Sequence, residues 1–170
     1  MEFLLYILFV VLAALTIRSF IAEPIRVDGD SMIPTLVNNE DMFVEKVSYW
    51  FNDPQRGDLV ICFYPGYTES CVKRVIGLPG ETVEVKEGAI YIDSKKLDES
   101  AYWNGEIIGD ISPVTVGARQ VFVVGDNRNG SKDSRNPSVG CIPYAKVVGR
   151  VIAVVYPFNE IETFSRVTYS

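Results

Sequence analysis

The chain opens with an almost unbroken apolar stretch. From residue 3 to residue 17 the one clearly polar side chain is Thr16, and continuing to Ala22 gives twenty residues. As a helix rising ~1.5 Å per residue, such a stretch is about 30 Å long, which is the thickness of a bilayer core. The pattern therefore predicts a transmembrane anchor over residues 1–22.

Two other interpretations of this stretch stay open, a cleaved secretory signal peptide and a buried helix of a soluble protein. Secretory signals usually begin with basic residues, whereas here Glu2 precedes the apolar run and no Lys or Arg does. Arg18 lies near the end of the run, where its long stem can carry the guanidinium to the head-group layer. Arg18 and Arg26 favour a cytoplasmic location for the rest of the chain, but two charges decide orientation weakly.

Beyond residue 41 the pattern changes to short runs rich in Val, Ile, Phe and Tyr, separated by turn residues. Such runs are typical of β-strands. Pro65-Gly66 and Glu87-Gly88 are predicted to close two hairpins. The predicted strands cover residues 59–64, 71–76, 82–86, 89–92, 121–124 and 147–156.

Two segments fit this pattern less well. Residues 46–51 could form a short helix or lie on a membrane, because they end in three consecutive aromatic side chains. Residues 94–118 are polar and weakly patterned, so we expect an excursion from the core. The predicted fold is mainly β, with one antiparallel catalytic domain over residues 23–170 following one N-terminal transmembrane helix.

Charge and composition exclude several functions. The 170 residues carry a net charge of −6, and the sixteen Lys and Arg form no basic run, so nucleic acid is not an expected partner. The chain has no histidine, which excludes Ser-His-Asp and Cys-His catalysis. Its three cysteines have no CxxC spacing, so neither a zinc site nor any cofactor is predicted. Cys62 and Cys71 could face each other across a hairpin, and the sequence does not decide whether they form a disulfide.

Three stretches, residues 29–36, 71–81 and 125–135, are denser in special residues than a β scaffold needs. Each has an ordinary explanation alone: Ser31 as a turn serine, Lys73 as a solvated strand lysine, and the third stretch as a polar turn or a calcium loop. Together they favour another interpretation, because a serine nucleophile without histidine needs a different base. A desolvated lysine can be that base.

The three stretches, in this order behind an apolar N-terminus, resemble the motifs of type I signal peptidases. The run RGDLV at 56–60 resembles a further motif of that family, and IRSFIAEP at 17–24 is similar to its single-span bacterial and thylakoid members. The resemblance covers nearly the whole chain and is weakest over residues 94–118. It implies a membrane-anchored serine endopeptidase that removes signal peptides from exported preproteins through an acyl-enzyme.

The resemblance also implies roles for individual residues. Ser31 would be the nucleophile, Lys73 the general base, and Ser131 a helper that hydrogen-bonds the lysine amine. The remaining supporting residues would be an ion pair and a loop brace: Asp133 with Arg135, and Asp126, Asn127 and Arg128. Some members carry a serine two residues before the nucleophile, where this chain has Gly29, so the oxyanion hole would rest on the Ser31 N–H and at most one further donor.

Lysine chemistry of this kind needs a lowered pKa. A free lysine has a pKa of ~10.4, and burial lowers it because low dielectric disfavours the charged form. Lys73 has apolar neighbours along its predicted strand, and Arg74 should point to the opposite face. Asp133 would be neutralised by Arg135, leaving no carboxylate to hold Lys73 protonated.

An extended peptide would bind along the strand edges beside Ser31 and Lys73. Small apolar pockets would suit the small side chains that the family prefers at the −1 and −3 positions. The residues expected to form this surface are Ile25, Val27, Met32, Leu36, Cys71 and Val72. Because signal peptides are cut after translocation, the catalytic domain should be extracytoplasmic, with membrane lipid and possible translocation machinery as partners.

Competing functions differ in what accompanies the Ser and Lys residues. A self-cleaving repressor-type peptidase would share the Ser-Lys chemistry but not the apolar N-terminus. An inactive membrane-tethered β module would bind peptides without cutting them.

Overall fold

The computed structural model describes residues 2–16, 21–167 and 169 of the chain. The N-terminal helix α1 spans Glu2–Thr16, and its apolar side chains are exposed. Among the described residues, no helix combines the length and the apolar character that crossing a membrane requires. Part of the anchor predicted over residues 1–22, namely Met1 and residues 17–20, lies outside the described residues, as does the IRSF part of the IRSFIAEP run.

The rest of the chain is built mainly from short strands. A short helix α2, Ser48–Phe51, and one turn of 3₁₀ helix, Tyr144–Lys146, interrupt them. The strands of the described residues are β1 Ala22–Arg26, β2 Asp41–Glu45, β3 Leu59–Phe63, β4 Ser70–Gly77, β5 Thr82–Lys86, β6 Ala89–Ile92, β7 Lys95–Lys96, β8 Ile111–Thr115, β9 Gln120–Val124, β10 Ile142–Pro143, β11 Val147–Tyr156 and β12 Glu162–Thr163.

These strands form two antiparallel sheets. The larger has eight strands in the order β1-β2-β11-β3-β4-β9-β10, with β12 pairing to β11, and the smaller has the order β7-β6-β5-β8. Every pairing between described strands is antiparallel. This confirms the predicted mainly β, antiparallel class.

All six predicted strands are present, with ends within one residue of the prediction. At the Glu87-Gly88 turn both residues have positive φ, 51° and 73°, which suits a two-residue hairpin. The prediction did not include β2 or β8. Because β8 pairs with β5, residues 94–118 belong partly to the smaller sheet and are not only an excursion.

Strand β4 is an interior strand of the larger sheet, between β3 and β9. It pairs with β3 along most of its length, but β9 pairs with it only from Arg74 onward. Within the described part of the chain, the first half of β4 therefore has one edge with no pairing strand. Apolar clusters cover both faces of the sheet around this strand: Ile61 and Val72 contact one cluster, while Val60, Cys62 and Val75 belong to another.

Candidate active site

The three unusual stretches of the sequence meet at the middle of β4. Ser31 lies in the turn after β1, Lys73 lies on β4, and residues 125–135 form the loop after β9. The Nζ atom of Lys73 is 2.7 Å from the Oγ atom of Ser31. A serine and a lysine 42 positions apart are thus within hydrogen-bonding distance.

Lys73 is buried in apolar surroundings, with 2% of its surface exposed. Besides Ser31, its amine contacts the backbone carbonyl of Val72 at 2.7 Å. Within the described part of the chain, no carboxylate forms an ion pair with it. Burial lowers the pKa of Lys73, and this effect outweighs the opposing influence of Cys71, Cys62, Asp133 and Asp126.

The next residue on β4 has the opposite environment. Arg74 is also buried, but its guanidinium donates two hydrogen bonds to Asp126, at 2.9 and 2.6 Å, and stacks 4.0 Å from the centre of the Tyr102 ring. Burial disfavours the arginine charge, yet hydrogen bonding and attraction from Asp126 outweigh it, so the pKa of Arg74 is raised.

The turn that carries Ser31 is held by the loop after β9. The backbone N–H of Asn127 donates to the carbonyl of Ser31 at 3.1 Å, and its side chain donates to the carbonyl of Asp30 at 3.0 Å. The hydroxyl of Thr35 donates to Asp126 at 2.5 Å. Asp126 therefore contacts both the arginine of β4 and the turn of the serine.

Asp133 and Arg135 form a two-point ion pair, with both nitrogen–oxygen distances 2.8 Å. Asp133 also accepts from the backbone N–H of Gly125 at 2.9 Å, which fixes the loop against itself. Both aspartates of this loop, Asp126 and Asp133, are thus paired to arginines. No cluster of metal-ligating side chains exists among residues 2–16, 21–167 and 169.

Ser131 differs from its expected contact. Its Oγ atom is buried and has no hydrogen-bond partner in the described structure, so the expected bond to the Lys73 amine is not formed. The lysine contacts Val72 instead. Ser131 nevertheless lies close by, because a Cβ placed on Gly125 would collide with both its Oγ and the carbonyl oxygen of Ser31. Because glycine has no Cβ, it allows the Ser131 hydroxyl and the Ser31 carbonyl to lie this close to position 125.

Several contacts in this network were not foreseen. Arg128 is fully buried and donates to Glu99 at 2.9 and 2.6 Å, and the Tyr102 ring lies near the guanidinium groups of both Arg74 and Arg128. Glu99 and Tyr102 belong to residues 94–118, where the sequence shows no pattern that singles them out. Thr35 and Gly125 lie inside the unusual stretches 29–36 and 125–135. Their location there is the feature of the sequence that could have identified them as part of the site.

Part of the expected substrate surface lies along a groove of about 790 Å³ between β1 and β4. Ile25, Cys71 and Val72 line this groove. The expectation fails for three residues, Val27, Met32 and Leu36, which are buried in the core and do not line it. Gly29 lies in the turn before Ser31 with φ of 96°, and its N–H donates to the side chain of Asn38 at 3.0 Å.

The three cysteines are all free. Cys62 and Cys71 are directly opposite each other on β3 and β4, with their sulfur atoms 3.7 Å apart. In this structure Cys62 and Cys71 are therefore two thiols in contact and do not form a disulfide.

Residues 1–156 match the family described as signal peptidase, peptidase S26. This chain belongs to that family. Signal peptidase I S of Bacillus subtilis is 43% identical over 164 residues, which cover 91% of this chain and 88% of the relative. Signal peptidase I of Bacillus licheniformis is 40% identical over 169 residues, covering 94% and 90%.

A solved structure is also similar. The crystal structure of a signal peptidase I from Enterococcus faecalis is 34% identical, covers 58% of this chain and 97% of its own, and has a TM-score of 0.47. Family membership makes this chain a type I signal peptidase and hence a serine peptidase.

Proposed function

We propose that this protein is a membrane-anchored serine endopeptidase that removes signal peptides from exported preproteins, with Ser31 as nucleophile and Lys73 as general base. The observation that carries the proposal is the 2.7 Å contact between the Ser31 hydroxyl and a buried lysine amine. A lysine serves as a base only when neutral, and burial favours the neutral form.

The first half of the reaction forms an acyl-enzyme. Neutral Lys73 takes the proton of the Ser31 hydroxyl while Oγ attacks the scissile carbonyl carbon. The backbone N–H of Ser31 donates no hydrogen bond to any described residue, which leaves it available to the developing oxyanion. The lysine ammonium then gives its proton to the leaving amine, and the peptide bond breaks.

The second half releases the signal peptide. Neutral Lys73 takes a proton from a water molecule, whose oxygen attacks the ester carbon, and Ser31 leaves with that proton. Both halves need the lysine near the same hydroxyl, so the fixed turn around Ser31 matters. Asn127 and Asp126 hold that turn, while Asp133 with Arg135 and Arg128 with Glu99 hold the loop from which they act.

The substrate enters as an extended strand. β1 is the last strand of its sheet, and the first half of β4 lacks a partner on one side, so both offer free backbone groups to a peptide. The groove between them, lined by Ile25, Cys71 and Val72, accepts alternate side chains of that peptide. Small side chains next to the cut bond suit the approach to a buried lysine.

The proposal includes the location of the enzyme. Residues 1–22 anchor the chain in the membrane, and residues 23–170 form an extracytoplasmic catalytic domain, where signal peptides emerge from translocation. Support comes from the exposed apolar side chains of α1, which in water would have no covering. Protease digestion of intact and opened cells measures this orientation. A catalytic domain that is protected in intact cells and digested after the cells are opened contradicts it.

Cleavage of a purified preprotein tests the chemistry. We expect wild type and the control Cys141→Ala to release the signal peptide, and Ser31→Ala and Lys73→Ala to release none, with unchanged circular dichroism. Mass spectrometry of a slowly deacylating substrate should place the acyl group on Ser31. If the folded Lys73→Ala variant turns over at the wild-type rate, the lysine is not the base. If folded wild type cuts no preprotein, the proposed removal of signal peptides is contradicted.

A further inference from the structure

The cysteine pair beside the candidate active site is arranged for disulfide chemistry. Cys62 and Cys71 face each other in the β3–β4 register, and their sulfur atoms are 3.7 Å apart. Directly opposed residues in antiparallel strands have Cα atoms ~4.5–5.5 Å apart, within the ~4.4–6.8 Å that disulfides span. A bond between these sulfurs therefore needs a rotation of side chains and little movement of the strands.

The two thiols differ in access and in acidity. Cys71 is partly exposed and borders the groove between β1 and β4, whereas Cys62 is fully buried at 0% exposure. The hydrogen bond from Cys62 lowers the pKa of Cys71 to about 7 against the effect of burial, and the amine of Lys73 adds to this lowering when it is protonated. The same contact and burial raise the pKa of Cys62. The accessible thiol is thus the more reactive nucleophile, because thiolates attack disulfides.

We propose that Cys62 and Cys71 form a modification site for small disulfides, in which Cys71 accepts the adduct and Cys62 removes it. In the first step the Cys71 thiolate attacks one sulfur of a disulfide RSSR, forming a mixed disulfide and releasing RS⁻. In the second step Cys62 attacks the Cys71 sulfur and its proton passes to the departing sulfur, which leaves as RSH, while the first RS⁻ takes from solvent the proton that Cys71 had given up. The two cysteines are oxidised to one internal disulfide, and RSSR is reduced to two thiols.

Removal of the adduct has a consequence for peptide binding, and this consequence rests on the proposed function. A group attached to Cys71 stands at the groove where the substrate strand would lie. The internal disulfide adds no atoms there, so the groove is free again. Cys62 would keep the peptidase working in an oxidising compartment, where small disulfides meet exposed thiols.

The test measures free thiols and protein mass, separately from cleavage. Reduced full-length protein in detergent is treated with oxidised glutathione, then alkylated and weighed. Wild type and the control Cys141→Ala should lose two hydrogen atoms and retain no glutathione, with Cys141 still alkylated in wild type. Cys62→Ala should retain one glutathione on Cys71, and Cys71→Ala should retain a free Cys62. Cys141 is a fair control because it lies in another cluster.

Two results would overturn the proposal: wild type that keeps glutathione, or wild type that keeps all three thiols free. Cys62→Ser, compared by thermal unfolding, covers the case in which the alanine variant does not fold. Cleavage measured after oxidation should fall at least tenfold in Cys62→Ala and stay near the reduced rate in wild type. If the thiol results hold but reduced wild type cuts no preprotein, the thiol site stands and the proposed function fails.

Discussion

Lys73 and Arg74 are neighbours on one strand, both cationic in water and both almost completely buried, yet their environments differ in every respect that decides charge. Arg74 has a carboxylate at two points, an aromatic ring and a carbonyl at 3.1 Å. Lys73 has a hydroxyl and one carbonyl. Because strand side chains alternate, one residue step is enough to separate the two environments.

The difference shows what each position requires. A buried charge is tolerated where a partner compensates it, and Asp126 does this for Arg74, whose pKa is raised. Where no partner is supplied, burial lowers the pKa, as at Lys73. One strand thus carries both a structural cation and a candidate base, because the carboxylate of Asp126 pairs with Arg74 and not with Lys73.

The largest effect is expected for Lys73→Met, which keeps the volume and removes the amine. Cleavage should fall by at least about 10⁴-fold, as for a lost catalytic partner. Stability should rise. The lowered pKa means that the unfolded chain binds a proton which the folded chain resists, so wild type loses stability as pH falls below the ordinary lysine pKa of ~10.4.

The gain of the Met variant should accordingly grow from about pH 10, near that ordinary pKa, towards neutral pH. Thermal unfolding of both proteins across that range measures it. Equal stability at every pH would mean that Lys73 carries no cost of burial, and the contrast with Arg74 would disappear.

Arg74→Met is the reciprocal experiment and should act on folding. It leaves Asp126 buried with its partner gone, which costs about 3–5 kcal/mol in other proteins. Denaturant unfolding should show this loss, and cleavage should fall because Asp126 also holds Thr35 in the turn that carries Ser31. Arg26→Met is the matched control.

Arg26 makes a similar two-point contact with Asp41, at 2.7 and 3.0 Å, but on the surface. Since water screens that pair, its loss should leave the unfolding curve almost unchanged. Comparable losses from both variants would show that burial is not what distinguishes Arg74.

The sequence pointed to the candidate site more readily than to the contacts that support it. Ser31 and Lys73 were proposed because the stretches that contain them resemble motifs of type I signal peptidases, and because a serine nucleophile in a chain without histidine needs another base. Six strands were predicted at the right places because they are runs of Val, Ile, Phe and Tyr bounded by turn residues.

Long-range polar contacts could not be predicted in the same way. Glu99 meets Arg128 across 29 positions, and Tyr102 stacks on Arg74, through a segment with no periodic pattern. The burial of Val27, Met32 and Leu36 was missed for a related reason, because an apolar residue near a nucleophile looks the same in sequence whether it faces a groove or the core.

Ser131→Ala should have a smaller effect than either exchange on β4. Its hydroxyl is buried without a partner, so removing it should leave the unfolding free energy within about 1 kcal/mol of wild type. In the proposed mechanism the Ser131 hydroxyl forms one neutral hydrogen bond to the lysine amine during the reaction. Loss of that bond in Ser131→Ala should lower kcat/KM about tenfold. Ser134→Ala is the control, because that hydroxyl accepts from Val123 N–H at 3.0 Å and should cost stability. Unaltered kcat/KM in Ser131→Ala would remove Ser131 from the proposed mechanism.

The smallest effect is expected for Cys71→Ser, and it concerns pH. Lys73 is faced by the thiols of Cys71 and Cys62 and, from the loop after β9, by Asp133 and Asp126, all of which raise its pKa against the effect of burial. Cys71 is the largest of these opposing influences.

Serine keeps the size of the side chain but does not ionise, so the pKa of Lys73 should fall further. Because the proposed base acts when it is neutral, activity should rise with pH through that pKa, and the acid limb of the kcat/KM profile should move to lower pH. Cys141→Ser should leave the limb in place, since that thiol lies in another cluster. A limb that moves to higher pH, or does not move, would mean that the Cys71 thiolate does not act on the lysine, and that burial alone separates Lys73 from Arg74.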